Sequence, residues 1–361
     1  MTSRTEKPVS RVELSTCMIY IKLTFPPACV ILPEAKGGMG MTTKEAVLQA
    51  LRGTNFPLSG ERLARQLGIS RNAVWKAIRG LQKDGCRISA STRLGYRLVE
   101  MPDMLSEAEI ARYLAQEEIG RHMEIHPELD STNNRAKQLA AQGAPHGTLV
   151  AADSQTAGRG RFSRQFYSPL HSGIYMSLIL RPALPAERAV MITSLAAVAA
   201  ARAIESLADV EVGIKWVNDL YINRRKCCGI LCEASMDFES GGLEYVVVGI
   251  GVNVARMAFP EDLKDIATSV GNECGLPVSR NRLIAEIANQ IAALYPDLAE
   301  GGFMAESRQR SIVIGKEITV LGSGNPYTAT ATDIDGQGRL IVRRPDGRTE
   351  ALNSGEISIK L

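Results

Sequence analysis

The sequence predicts an α+β protein in three parts: an N-terminal winged helix-turn-helix, a central mixed, mostly antiparallel sheet with helices on one side, and a small C-terminal SH3-like β-barrel. Three observations carry this. Residues 43–98 show helical periodicity, with a short glycine-containing turn between two helices. In residues 105–310 strand-like runs outnumber helical ones and several are joined by tight turns, which points away from a doubly wound fold. From about Ser311 the chain breaks into short strand-like pieces between turn signals. The expected boundaries are 1–40, a disordered extension; 41–101, the winged helix-turn-helix domain; 105–310, the central domain; and 311–361, the C-terminal domain.

Length allows two or three domains, and 45% hydrophobic with 22% charged residues is ordinary for a soluble globular chain. A net charge of +3 is too small to mark the whole surface for nucleic acid, so any basic face must be local. The seven cysteines are odd in number and form no C-x-x-C pair, which predicts a reducing, cytoplasmic setting without structural disulfides. No apolar run is expected to span a membrane. Met18 to Val30 is apolar but holds a lysine and two prolines, unlike a signal-peptide core, and Met41 offers an alternative start before a well-patterned helix.

In the first domain, Ala46, Leu48 and Leu51 mark a short amphipathic helix. Ser59 is the expected cap of a helix over Gly60 to Leu67, which Gly68 ends. Ser70 caps a third helix with apolar Val74, Ile78 and Leu81 on one side. Arg71, Asn72, Trp75, Lys76 and Arg79 fall on the other, suited to base edges and phosphate. With Gly60, these are the candidate DNA contacts. Cys86 to Leu98 reads as a hairpin, the wing. A helical protein-interaction module with a solvated basic face is the competing reading.

After a linker at Met101 to Leu105, the central domain is expected to run as a helix over Ser106–Gln116 and a strand over His122–His126. Next come a helix from Asp130, Ser131 or Thr132 to Ala141, and strands over Thr148–Ala152 and Gly173–Leu180. A long alanine-rich helix over Ala186–Leu207 and a strand over Val210–Trp216 follow. A hairpin of Leu220–Asn223 with Cys228–Glu233, a strand over Tyr245–Ile250 and a helix over Arg282–Tyr295 complete it. The turn signals Gly322 to Asn325, Asp335-Gly336 and Asp346-Gly347 then separate the strands of the barrel.

The segment Gln155 to Pro169 interleaves Gly158 and Gly160 with Arg159 and Arg161, and Arg164 follows. Glycine permits close backbone approach to a ligand, and arginine is a permanent cation with a fork of donors. The loop is either an anion cradle or a solvated basic coil. Four spaced motifs favour the cradle: G-R-G-R-x-x-R at Gly158–Arg164, K-W-x-N-D at Lys215–Asp219, K-x-x-G-I-L at Lys226–Leu231 and G-I-G-x-N at Gly249–Asn253.

With these motifs in this order, residues 43–361 resemble the biotin–protein ligases, most closely the bifunctional type that also represses the biotin operon. The resemblance implies a class II synthetase-like catalytic fold. It implies synthesis of biotinyl-5′-adenylate from biotin and ATP with Mg²⁺, then transfer of biotin to a lysine of a biotin carboxyl carrier domain. It implies catalytic roles for Lys226, Arg161, Arg159 and Arg164, whose charge would offset that of the triphosphate. Biotin contacts fall on Ser131, Thr132, Asn133, Gln155, Arg159, Gly160, Arg161 and Lys226. Nucleotide contacts fall on Gly158, Phe166, Lys215, Asn218 and Asn253, and the Mg²⁺ ligand on Asp219. The expected partners are the carrier domain, operator DNA and, once adenylate is bound, a second copy of the chain. A ligase whose helix-turn-helix does not repress biotin genes is the alternative.

Two positions depart from the family. Phe166 stands where tryptophan is usual, which weakens stacking near the adenylate. Val217 stands where proline is usual, which loosens the turn before Asp219.

Overall fold

The computed structural model describes residues 41–358 apart from 55, 84–85, 92–93, 101–102, 117, 186–187, 237–241, 322–324 and 354–355. The expected extension over 1–40, the first two linker residues and the turn at 322–324 lie outside the described residues.

The first domain follows its capping signals. α1 (Thr43–Arg52) opens on a capping box between Thr42 and Glu45. α2 (Gly60–Leu67) is capped by Ser59 and ends at Gly68, which takes φ 65°. α3 (Arg71–Lys83) starts where the Ser70 hydroxyl accepts from Ala73 N at 3.1 Å. Val47, Leu51, Leu63, Val74, Ile78 and Leu81 form a core separate from the rest of the protein. β1 (Arg87–Ser91) and β2 (Gly95–Glu100) make the antiparallel wing. A side chain at Gly95 would place its Cβ 2.3 Å from the Leu58 carbonyl, so glycine lets the wing close on Leu58.

The central domain contains α4 (Glu107–Ala111), β3 (Met123–His126), α5 (Thr132–Ala141), β4 (Leu149–Ala152), β5 (Gly173–Leu180) and α6 (Ala189–Leu207). It continues with β6 (Gly213–Lys215), β7 (Asp219–Ile222), β8 (Arg225–Met236), β9 (Leu243–Asn253), α7 (Val270–Cys274), α8 (Arg280–Leu294) and α9 (Met304–Gln309). The sheet order is β3-β4-β5-β9-β8-β7-β6, with only the β3–β4 pair parallel. The C-terminal domain is a five-stranded antiparallel sheet of β10 (Glu317–Leu321), β11 (Tyr327–Ile334), β12 (Leu340–Arg343), β13 (Thr349–Leu352) and β14 (Glu356–Ser358). Trp216 joins it to the central domain: its ring is buried and Nε1 donates to the Gly338 carbonyl at 2.9 Å.

Several sequence expectations need correction. Helices cover both faces of the central sheet, not one. α6 and α8 pack on one face, while Ala136 and Ala140 of α5 pack on Val150, Ile179 and Val247 of the other. β5 is buried at every residue, so neither of its faces is left to water. The helix expected to reach Gln116 stops at Ala111, and Asn289 Oδ1 accepts from Ala115 N instead. The strand expected from Val210 begins at Gly213, because Val212 N donates to the Glu205 carboxylate. The short helices α7 and α9 were not anticipated. Finally, α6 is long and apolar enough to cross a membrane by length and composition, contrary to the sequence reading, and 67% of that stretch is buried inside the protein.

Candidate active site

Period-two alternation on the strands builds the floor of the site. On β9, Val248, Ile250 and Val252 enter the core, which leaves Gly249, Gly251 and Asn253 on the α5 face. Gly229 of β8 pairs with Gly251, and Leu231 with Gly249. The missing side chains are space in use. A Cβ on Gly249 would come within 2.1 Å of Asn133 Oδ1, and one on Gly251 within 2.6 Å of the Phe166 ring.

The N-terminus of α5 meets this floor. Ser131 is the N-cap residue but its hydroxyl makes no cap bond; it lines the recess above the glycines. Thr132 N donates to Gln155 Oε1 at 2.9 Å, and Gln155 Nε2 donates to Ser168 Oγ at 3.1 Å. Ser177 Oγ lies 2.8 Å from Thr132 Oγ1 and 2.7 Å from Asn133 Oδ1. Asn133 Nδ2 donates to Glu233 Oε2 at 2.8 Å and to the Leu231 carbonyl at 3.2 Å. Burial pushes the Glu233 carboxyl up, but hydrogen bonds from Lys137 and Asn133 outweigh it and hold the carboxyl below its ordinary range. Asn133 is therefore fixed as donor to an anion and acceptor to a hydroxyl.

The segment from Gln155 to Pro169 turns back on itself as a tight hairpin over the recess. Phe166 N donates to the Gly158 carbonyl at 2.9 Å and Gly160 N to the Arg164 carbonyl at 2.7 Å. Phe162, at φ 56°, is the exposed tip. Arg161 Nη1 donates to Asn218 Oδ1 at 3.0 Å, and Asn218 Nδ2 donates to the Ile230 carbonyl at 3.1 Å, so the hairpin is tied to β8. Arg159 Nη1 reaches Asn134 Oδ1 at 3.3 Å and lies 3.6 Å from Glu233. Gly158 leaves no room for a side chain, since its Cβ would meet Ser168 Oγ at 2.6 Å.

The hairpin expected from sequence, Leu220–Asn223 with Cys228–Glu233, leaves Lys226 in the connection between its strands. The turn is Asn223-Arg224, both in left-handed conformation, and Lys226 lies on β8. The β7–β8 register slips by one between the pairs Leu220–Cys228 and Tyr221–Lys226, which makes Cys227 the extra residue of a bulge. Strict alternation from Gly229 would put Cys227 on the site face. The bulge instead buries both Cys227 and Cys228 and delivers Lys226 to the site. Lys226 Nζ lies 2.6 Å from Asp219 Oδ1, a buried oxygen that accepts no directed hydrogen bond among the described residues.

Two adjoining recesses result. The inner one, a partly open space of about 480 Å³, is lined by Ser131, Thr132, Asn133, Gln155, Arg159, Gly160, Arg161, Phe166 and Lys226 with the glycine floor. The outer one, about 1170 Å³, holds Arg164, Lys215, Asn218, Asp219 and Asn253 among the aromatic and apolar groups Trp216, Tyr167, Tyr221, Phe259 and Ile266. Gly160, Arg161, Phe166, Asn218 and Lys226 border both. Of the site residues expected from sequence outside the DNA-binding face, only Gly158 lines neither recess; it supports the hairpin from behind. Asn253 Nδ2 donates to the Thr268 carbonyl at 3.0 Å. The Trp216–Val217 peptide is cis.

Residues 126–253 match the biotin/lipoate A/B protein ligase family, residues 43–97 an HTH domain, and residues 313–360 the biotin protein ligase C-terminal domain. The chain is 40% identical over 295 residues to the bifunctional ligase/repressor BirA of Bacillus subtilis, covering 80% of this chain and 90% of that protein. It is a bifunctional-type biotin–protein ligase by family. A biotin–[acetyl-CoA-carboxylase] ligase of Mycobacterium tuberculosis is 31% identical over 250 residues, covering 66% of this chain and 88% of that protein. Among solved structures, the biotin protein ligase of Aquifex aeolicus in complex with biotin and ATP superimposes with a TM-score of 0.57 at 27% identity, covering 66% of this chain and 98% of that one.

Sequence reasoning missed Ser177, Tyr175 and Glu233 of this candidate site. Ser177 and Tyr175 sit inside a run that reads as uniformly apolar strand, and Glu233 is brought to Asn133 and Lys137 only by the pairing of β8 with β9. On the face of α3 expected to meet DNA, Arg71, Asn72, Trp75, Lys76 and Arg79 are all exposed, and the Arg79 guanidinium stands 5.6 Å from the Trp75 ring centre. Gly60 is not on this face; it opens α2 and lies against Tyr96.

Proposed function

We infer that this protein is an ATP-dependent biotin–protein ligase and biotin-operon repressor. It makes biotinyl-5′-adenylate, transfers biotin to a lysine of a biotin carboxyl carrier domain, and uses the adenylate as corepressor. One observation carries the enzymatic part: a small, polar-ended recess opens into a wider aromatic one at Lys226 and Arg161. Two substrates with a reacting junction need that shape.

Biotin's ureido ring takes the inner end, where Ser131, Thr132, Asn133 and Gln155 offer hydroxyl and amide groups. Its carboxylate points to Lys226. ATP takes the outer recess, the adenine among the aromatic groups and the α-phosphate at the junction. A carboxylate oxygen bonds to the α-phosphorus and pyrophosphate leaves, and Arg161, Arg159 and Arg164 offset the charge that builds there. In the second step the carrier lysine's amine attacks the biotinyl carbonyl, polarised by Lys226, and AMP leaves. Phe166 over Gly251 excludes water from the mixed anhydride.

Asp219 fits a Mg²⁺ role in chemistry, since that ion takes one or two carboxylates with phosphates and water; its Oδ1 makes no directed hydrogen bond but faces Lys226 Nζ at 2.6 Å, so the ammonium must turn to the biotin carboxylate before the ion can take that oxygen. Bound there, Mg²⁺ would neutralise charge on the phosphates. The exposed, basic face of α3 supports operator binding; a dimer formed once the adenylate is held would present two such faces to a palindrome. The test is mass spectrometry of a biotin carboxyl carrier domain incubated with the protein, biotin, ATP and Mg²⁺. The expected result is a biotin-sized gain on one lysine; an unmodified carrier removes the ligase reading.

A further inference from the structure

Arg280, the first residue of α8, is 1% exposed, and its charge must be met inside the protein. Its partners come from three distant parts of the chain. Nη1 donates to Asp153 Oδ1 and, at 3.2 Å, to the Gly173 carbonyl. The backbone N and Nε donate to Asp103 Oδ2 at 2.7 and 3.3 Å, and Nη2 donates to the Asp103 carbonyl. Asn281 adds to the same attachment, accepting from Ser106 N at 2.9 Å and donating to the Met104 carbonyl at 2.8 Å.

These partners have a common geography. Asp153 follows β4 and stands two residues before Gln155, where the hairpin over the site begins. It also pairs with His171 Nδ1 at 2.5 Å, beyond the hairpin's other end. Gly173 opens β5 and completes that end. Asp103 lies between β2 and α4, on the connection from the winged helix. One guanidinium thus holds both ends of the ligand hairpin and the interdomain connection.

We propose that Arg280 is a positioning residue that couples closure of the 155–169 hairpin over its ligand to the connection leading to the DNA-binding domain. The proposal rests on the site reading above. A guanidinium is planar with donors in fixed directions, so a shift of Asp153 or Gly173 on closure reorients the donors that Asp103 accepts. The linker then responds to ligand without touching it.

Amide hydrogen exchange on the full chain, alone and with biotin, ATP and Mg²⁺, tests this. Ligand is expected to slow exchange at residues 158–166 and, about threefold or more, at 103–106. Asp103→Ala leaves the Arg280–Asp153 pair in place. This variant is expected to form adenylate at the wild-type rate and to protect 158–166, but to lose the response at 103–106. Asp103→Asn, which keeps an acceptor oxygen, is expected to restore part of it. Protection of 158–166 with no change at 103–106 in the wild type overturns the coupling, as does a full linker response in Asp103→Ala. Absence of biotin binding by calorimetry, with no protection anywhere, overturns the site reading itself and this proposal with it.

Discussion

The Phe166 ring occupies the space a side chain on Gly251 would need: a Cβ there would stand 2.6 Å from ring Cε1. Gly229, paired with Gly251 on the neighbouring strand, leaves similar room, with a Cβ 3.2 Å from Cε2. A two-glycine floor therefore seats the one ring that, among the described residues, borders both recesses. Gly251→Ala must displace it. Forcing extra volume into a packed site costs about 1–3 kcal/mol. We expect biotin-dependent pyrophosphate release to fall ~10-fold or more, as in other losses of a well-placed group at a reacting centre. An unchanged rate removes Phe166 from the mechanism.

Lys226 and Arg161 are the cations at the junction of the recesses. Replacing either with alanine is expected to slow adenylate formation by ~10²-fold or more, the scale of losing one donor aimed at developing charge. Biotin binding, followed by calorimetry, is expected to weaken less than the rate falls. Wild-type pyrophosphate release in both variants relocates the chemistry.

Glu233 supplies a pH dependence. Its folded carboxyl lies below the ordinary value of 4.5, because hydrogen bonds from Lys137 and Asn133 outweigh the effect of burial. Its contribution to stability is complete above that ordinary value and is lost as pH falls through the depressed one. Glu233→Gln has no such charge to lose. Its melting temperature should fall less between pH 6 and pH 3 than the wild-type value does. Equal falls by thermal unfolding refute the assignment.

The proposed operator contacts are expected to divide by type along α3. Lys76→Ala should weaken binding to DNA from upstream of biotin genes evenly across sequences and reduce the log–log salt slope by about 1. Asn72→Ala should instead relax base preference, at about 1–3 kcal/mol for the base it reads. Band-shift titrations over a salt series, with biotin and ATP present, distinguish these outcomes. Salt slopes and sequence preference matching wild type in both variants move the interface off α3.

Trp216 links the central and C-terminal domains. Trp216→Phe keeps a ring in the core but leaves the Gly338 carbonyl without its donor, a loss of about 1–3 kcal/mol for a buried acceptor. Urea unfolding measures it. Stability equal to wild type shows that the indole hydrogen bond does not hold the domains together.

Local chemistry determined much of this protein from the sequence alone. Ser59, Ser70 and Gly68 set the second and third helices of the first domain, because caps and left-handed glycines act within a few residues. The motifs on β8 and β9 were legible because spacing along a strand is fixed, and the charge alternation of the hairpin was legible as a binding element. What the sequence could not supply were relations between distant segments. It placed Lys226 in a turn, since nothing local announces that Cys227 is a bulge residue; that depends on register against β7. It read β5 only as a strand, since Ser177 becomes a site residue only when α5 brings Thr132 and Asn133 over it. It passed over Arg280 altogether, whose partners Asp103, Asp153 and Gly173 lie more than a hundred residues away. Caps and alternation are short-range and written residue by residue. Register, facing and the pairing of buried charge arise only when segments meet, and those relations turned a set of motifs into a site.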